Sequence, residues 1–341
     1  MLNISHLEID ACSICQLRCV ECPATKMGYN FNVGRGYLKF KDFKKLVDSN
    51  PQIRSINFDN FGELFLNPEL VSLIKYAYEK KIILSCAAGV NLNTVKPEVL
   101  ESLVKYRFNF LNCSIDGATQ ETYQLYRVGG NFETVINNIK LINQYKVQYH
   151  SKFPKLQWQF IVFGHNEHEL PRAREMARNL EMEFYPKLNW NSDYSPIKNK
   201  EFVISETGWP AVTREEYEKI TGINFVRSTC LSLWSSPRIS WDGKVTGCCW
   251  NVWSEFGGNA FDDGFVHCIN SEKIECAKKM LLGHIKPRSD IPCTSCDIFQ
   301  NLNQKKNYFT LKETYRYNSR VYNLLRKTRN FLISTYRMLR N

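Results

Sequence analysis

From residue 6 onward, short apolar runs rich in β-branched and aromatic residues alternate with longer stretches whose apolar positions recur every three or four residues. That is the rhythm of repeated βα units on a parallel sheet. Six strands are predicted: His6 to Ala11, Ser55 to Asn60, Ile82 to Ala87, Phe110 to Ile115, Leu156 to Phe163 and Glu183 to Asn189. Helices are predicted between them over Asp42 to Ser49, Pro68 to Lys80, Pro97 to Tyr106, Phe132 to Tyr145 and His168 to Leu180, several opened by a capping residue or an early Pro. Six units suit an α/β fold built as a partial (β/α)6 barrel better than a closed eight-fold barrel. The rhythm dissolves over 190–228, a polar stretch with Pro196 and Pro210 that reads as a connection or inserted subdomain. Past it, Arg238 to Trp241 and Lys244 to Cys248 flank Asp242-Gly243, a β-hairpin with a tight turn. The expected division is a barrel core over 1–189, the connection over 190–228, a small domain over 229–302 and a helical tail over 303–341.

Composition narrows the class without naming it. With 43% hydrophobic and 13% aromatic residues and no long uninterrupted apolar run, the chain reads as globular and not membrane-spanning. No signal peptide precedes the first cysteines, so a cytoplasmic location is expected. The net charge of +11 is concentrated, because residues 305–341 carry ten Lys and Arg against one acid, Glu313. The body is then nearly neutral, which argues against a nucleic-acid face. Within that tail Val321, Leu324, Leu325, Phe331, Leu332, Met338 and Leu339 recur at helical steps, with Arg326, Arg329, Arg337 and Arg340 largely elsewhere around the helix. A basic amphipathic helix of this kind packs on the barrel, lies on an anionic membrane surface, or docks a partner enzyme.

Thirteen cysteines change the picture most. Four fall between residues 12 and 22, none between Cys113 and Cys230, and seven between 230 and 296, so two metal sites are the simplest reading. Cys15-Gln-Leu-Arg-Cys19-Val-Glu-Cys22 gives C-x3-C-x2-C in the loop after the first strand, where parallel barrels place their chemistry. Three thiolates can ligate three irons of a 4Fe-4S cubane and leave the fourth open. A structural zinc, with Cys12 as a fourth ligand, is the competing reading.

The C-x3-C-x2-C loop resembles the signature of the radical S-adenosylmethionine (SAM) superfamily, from which Cys12 is extra and where Glu21 stands in place of a frequent aromatic. Asp59-Asn60-Phe61-Gly62-Glu63 resembles the family's glycine-glutamate motif, with Phe61 and Leu64 as departures. The resemblance implies that Gly62 lets the backbone approach SAM and that Glu63 receives its amino group. Asn112-Cys113-Ser114-Ile115-Asp116-Gly117, followed by Arg127, resembles the stretch that holds the SAM ribose and carboxylate, which implies contacts from Ser114, Asp116 and Arg127.

Cys230, Cys248, Cys293 and Cys296 form a second set around the predicted hairpin, suited to zinc or a 4Fe-4S cluster. The segment Trp241 to Cys248 resembles the auxiliary-cluster domain called SPASM, and with no cysteine after Cys296 it resembles the shortened Twitch version, which carries one auxiliary cluster. Cys249 could replace Cys248; Cys268 and Cys276 read as buried or free thiols.

Two 4Fe-4S clusters and SAM are the cofactors this resemblance implies, with flavodoxin or ferredoxin as electron donor. It further implies hydrogen abstraction by a 5′-deoxyadenosyl radical, most simply to oxidise a hydroxyl carbon of a sugar or cyclitol. Redox-neutral epimerisation, with Cys113 or Cys249 returning a hydrogen atom, and peptide or protein modification remain open. Only 14 residues precede Cys15, which lowers the peptide reading. A non-enzymatic zinc protein is the alternative from a different class.

Overall fold

The computed structural model describes residues 4–26, 28, 34–59 and 61–318. Six strands, β1 (His6–Asp10), β2 (Ser55–Asp59), β3 (Ile83–Val90), β4 (Phe110–Ser114), β5 (Lys155–Val162) and β6 (Glu183–Leu188), pair in parallel in chain order. The hairpin strands β7 (Arg238–Ile239) and β8 (Val245–Gly247) do not stand apart. β7 pairs in parallel with β1 through Glu8↔Arg238 and Ile9↔Ile239, and β8 returns antiparallel beside it, so the eight strands run in the order β6-β5-β4-β3-β2-β1-β7-β8. The partial barrel expected from the βα rhythm is thus present, and its first strand is extended by the C-terminal hairpin. The Asp242-Gly243 turn forms with Gly243 at φ +89°, where a Cβ would also strike the Asn259 side chain.

Strand alternation builds two unlike faces. Leu7, Ile9, Ile56, Phe58, Leu84, Leu111, Trp158 and Phe160 are buried in the main core. The alternate positions are polar: Asn57, Asn112, Ser114 and Gln159 bond to one another or to neighbouring backbone across the inner face of the sheet. The helices Pro97–Lys105, Gln120–Tyr126 and Phe132–Gln148 begin as their sequences dictate, with Pro97 in the first turn and with Thr119 and Asn131 side chains accepting from the first-turn amides.

Residues 190–228 contain two short helices that the sequence did not reveal, Lys200–Thr207 and Arg214–Thr221, each ended by a left-handed glycine, Gly208 and Gly222. The tail is partly visible. Helix Leu311–Asn318 follows buried Phe309, and Arg227 pairs with Glu313 at 2.7 Å while its guanidinium lies 4.0 Å from the Phe309 ring. The basic amphipathic pattern from Val321 onward lies outside the described residues, as does Asn60. Among the described residues no helix is long and apolar enough to cross a membrane.

Candidate functional site: two thiol sets

The loop leaving β1 is stitched to the segment after Gln120–Tyr126: Arg18 N donates to Val128 O at 3.0 Å and Val20 N to Tyr126 O at 3.3 Å. This fastening brings Arg127 onto the cysteine loop. Its Nε and Nη2 both bond Asp116 Oδ2 at 2.6 Å, and its Nη1 lies 3.5 Å from Cys19 Sγ. Asp116 Oδ1 accepts from Ile161 N at 2.7 Å, so the carboxylate is engaged by the arginine and by β5 and locks the guanidinium in place.

Cys15 is held from the other side. Asn91 Nδ2 lies 3.8 Å from its sulfur, and Gln16 Nε2 donates to Asn91 Oδ1 at 2.9 Å. Burial pushes the Cys15 thiol up to about 12, with Glu63, Cys19 and Cys22 adding to the rise. Burial also raises Cys19, and Arg127 opposes it. Cys12, by contrast, donates its thiol to Ile14 O at 3.6 Å and is buried in a backbone bridge with Tyr37.

Glu63 is buried and accepts from Asn91 N at 2.7 Å and Phe65 N at 3.3 Å. Burial pushes its carboxyl up to about 7, those two amides pulling the other way. Gly62 is required where it stands, since a Cβ there would lie 2.2 Å from Ile14 O. Ser114 faces the lumen beside Gly89, whose missing side chain leaves room for the hydroxyl, and it accepts from Gln159 Nε2 at 3.4 Å. Cys113 lies between Asn112 and Ser114 and therefore on the opposite, helix-facing side, fully buried; burial raises its thiol, Glu63 adds to the rise and Lys146 of the outer helix opposes it. Cys113, expected as a hydrogen donor in the epimerisation reading, thus has its thiol on the face opposite Ser114. Glu21 is occupied by Lys26 at 2.5 Å and by Asn191 at 3.1 Å.

The second thiol set comes from three separate stretches. Cys230 lies in the 3-10 turn Arg227–Leu231, Cys248 follows β8, and Cys293 lies in the turn Pro292–Ser295 that Cys296 closes. All four line one pocket whose remaining walls are largely apolar, including Leu233, Trp250, Phe256 and Phe299. Burial raises all four thiols, Cys296 to about 11, and each is raised further by others of the set or by nearby acids. Backbone amides of Asn251 and Trp250 favour the Cys248 thiolate, and those of Phe299 and Ile298 favour that of Cys296. Buried thiols with N–H groups aimed at sulfur, in a dry pocket, are a donor set that fits an iron–sulfur cluster. Among the described residues no three His, Cys, Asp or Glu side chains gather about the position of a single ion. Cys249 is exposed and does not line the pocket, while Cys268 and Cys276 are buried elsewhere in the core.

Between the two sets lie residues that no motif announced. Lys187 on β6 donates to Gln159 Oε1 at 3.2 Å, and Trp190 just beyond β6 meets Trp250 of the second pocket at 5.8 Å between ring centroids.

Comparison with known proteins agrees with this geometry. The radical SAM superfamily pattern matches residues 11–177, the stretch from the cysteine loop into the helix Leu170–Asn179 that follows β5. Residues 11–177 are a radical SAM domain. Such a domain binds SAM and a 4Fe-4S cluster. In sequence the chain is similar to the AdoMet-dependent heme synthase of Methanosarcina barkeri (strain Fusaro / DSM 804), 27% identical over 168 residues. The match takes in 49% of this chain and 45% of that protein, so the chain spans less than half of the relative's length. In fold it is similar to Streptococcus suis SuiB bound to S-adenosylmethionine, with a TM-score of 0.59 at 14% identity over 87% of this chain and 71% of that one. SuiB bound to the precursor peptide SuiA gives 0.58 at 15% identity, over 87% and 70%. The anSMEcpe structure with bound AdoMet gives 0.57 at 16% identity, over 87% and 84%.

Proposed function

We propose that this radical SAM enzyme oxidises a hydroxyl-bearing carbon of a sugar or cyclitol, with one 4Fe-4S cluster on Cys15, Cys19 and Cys22 and a second on Cys230, Cys248, Cys293 and Cys296. When bound, the first cluster and SAM supply a 5′-deoxyadenosyl radical able to take a hydrogen atom from an unactivated carbon. The chain's own residues would do the rest. Glu63 receives the SAM ammonium beside the close backbone at Gly62, and Ser114 offers its hydroxyl to the ribose or carboxylate. The Asp116–Arg127 pair holds a cation against Cys19. Amides and hydroxyls of Asn57, Asn112, Ser114 and Gln159 give the lumen the hydrogen-bonding groups a polyhydroxylated molecule needs.

The observation that carries the oxidation reading is Trp250, which lines the second thiol pocket, meeting Trp190 at the end of β6 with ring centroids 5.8 Å apart. Converting an alcohol to a ketone removes one hydrogen atom, one proton and one electron. An acceptor for that electron belongs where the pocket lies. A flavodoxin or ferredoxin would reduce the first cluster.

Two other readings keep specific support. Cys249 is exposed next to Cys248 and influences Lys187, which suits return of a hydrogen atom in epimerisation. The fold likeness to SuiB, solved with a precursor peptide, favours a peptide substrate. Anaerobic reconstitution followed by turnover in heavy water separates them: oxidation gives a carbonyl product without carbon-bound deuterium, and epimerisation through a thiol incorporates it.

A further inference from the structure

Lys187 and Arg214 are two cations at one corner of the lumen, and neither has an acidic partner within ion-pair distance among the described residues. Lys187 donates to an amide oxygen, Gln159 Oε1. Arg214 donates through Nε to Asn189 O at 3.0 Å and through Nη2 to Leu188 O at 2.9 Å, the two carbonyls that follow Lys187 in the chain. Both flank the same indole: Arg214 lies 3.4 Å and Lys187 5.9 Å from the Trp190 ring centroid. Phe225, 4.8 Å from the guanidinium, covers the arginine from another side.

Bringing two like charges into a half-buried, aromatic-walled corner is unfavourable, and a cation pair without a counter-charge is costly to fold. Its cost appears in both groups. Burial, with Arg214 as the next cause, pushes the Lys187 amine down to about 8; burial pushes Arg214 down to about 10, against the pull of Tyr185 and Glu215. The other charged groups acting on Lys187 are Asp116 and Arg127, already joined to each other, and Cys249. The backbone carbonyls fix the guanidinium fork in one direction, and Nη1 takes no partner among the described residues. A preset fork beside an ammonium matches a carboxylate or a phosphate.

We propose that Lys187 and Arg214 form an anion subsite at the β6 edge of the lumen that holds a carboxylate or phosphate group of the substrate. This names a substrate class within the reading above and rests on the lumen being the substrate's site. The substrate is then an acidic molecule, such as a sugar acid or a sugar phosphate, anchored at β6 while the reacting carbon points toward the cysteine loop. A neutral polyol would leave the pair uncompensated.

The test is site-resolved acetylation of the anaerobically reconstituted full chain with acetic anhydride, read by mass spectrometry across pH, with inorganic phosphate or with acetate, each with and without saturating SAM. Lys187 should label with a midpoint near 8. One of the two anions should slow its labelling about tenfold at that pH, with SAM present or absent. Arg214→Gln should remove the protection and Arg214→Lys retain part of it. Labelling of Lys187 indifferent to both anions overturns the subsite. Protection by SAM alone, leaving none for phosphate or acetate to add, also overturns it, because the pair would then hold the cofactor's own carboxylate. Formation of 5′-deoxyadenosine by the same preparation reports on the radical SAM reading separately, so failure of one is not failure of the other.

Discussion

The two thiol sets differ in how far the chain travels to assemble them and in what surrounds them. Cys15, Cys19 and Cys22 share one loop, and their neighbours are polar: Arg127 at Cys19, Asn91 at Cys15 and Glu63 behind. Cys230, Cys248, Cys293 and Cys296 come from distant stretches into a pocket walled by Leu233, Phe256 and Phe299. Three thiols on a local loop leave one side of a cubane toward the lumen and its hydrogen-bonding groups, which suits ligand exchange. Four thiols in a dry pocket close every side, which suits electron transfer.

The comparison breaks most sharply at single cysteines. Cys19→Ser should cut 5′-deoxyadenosine formation by more than about 100-fold, beyond the usual loss for an outer-shell change. Cys293→Ser should leave that formation within about twofold while abolishing the oxidised product, and iron should fall from about eight to about four per chain. Loss of 5′-deoxyadenosine in Cys293→Ser would mean that the two sets are not functionally separable.

Next comes the cation at the first loop. Arg127→Gln leaves Asp116, fully buried, with Ile161 N but no counter-charge. It should cost about 3–5 kcal/mol in denaturant unfolding, whereas exposed Arg288, ion-paired with Glu272, should matter far less.

Glu63 gives a pH test confined to the first set. In the SAM-free protein its carboxyl is raised to about 7, so the folded chain holds a proton there that the unfolded chain has already lost. Stability should therefore fall as pH rises from the ordinary carboxyl value toward 7, and level off above it. SAM binding, which needs the carboxylate, should weaken about tenfold per unit as pH drops below 7. In Glu63→Gln both dependences should vanish; isothermal titration with SAM across pH reads the second.

The smallest effect concerns the tail. Phe309 and the Arg227–Glu313 pair tie residues up to Asn318 to the body, so a cut at 305 should lower the melting temperature. A cut after Asn318 should leave it within about 2 °C. Liposome binding that survives the second cut removes the membrane reading of the basic helix.

Much of this was legible in the sequence. The six barrel strands begin within one residue of their expected starts, because period-two patterning and flanking helices constrain them strongly. β3 runs on to Val90 through Gly89, where the residue composition gave no sign of a strand. The helices Lys200–Thr207 and Arg214–Thr221 were hidden because they are short and charged, the second burying no residue. Arg214 lies on the second of these, and its contacts with Trp190 and with the Leu188 and Asn189 carbonyls correspond to no spacing in the sequence. Lys187 was equally silent, since its significance comes from Gln159 and Trp190 reaching it across the sheet edge. Cys113 adjoins Ser114 in the chain, and strand alternation puts the two on opposite faces.

The central claim is that the cluster on the N-terminal loop offers SAM an iron without a protein ligand. Electron paramagnetic resonance of the reduced, anaerobically reconstituted Cys293→Ser chain, which isolates that cluster, tests it directly when SAM is added. A changed spectrum, with hyperfine coupling to SAM labelled in its amino nitrogen, is expected. An unchanged spectrum at saturating SAM would contradict the claim.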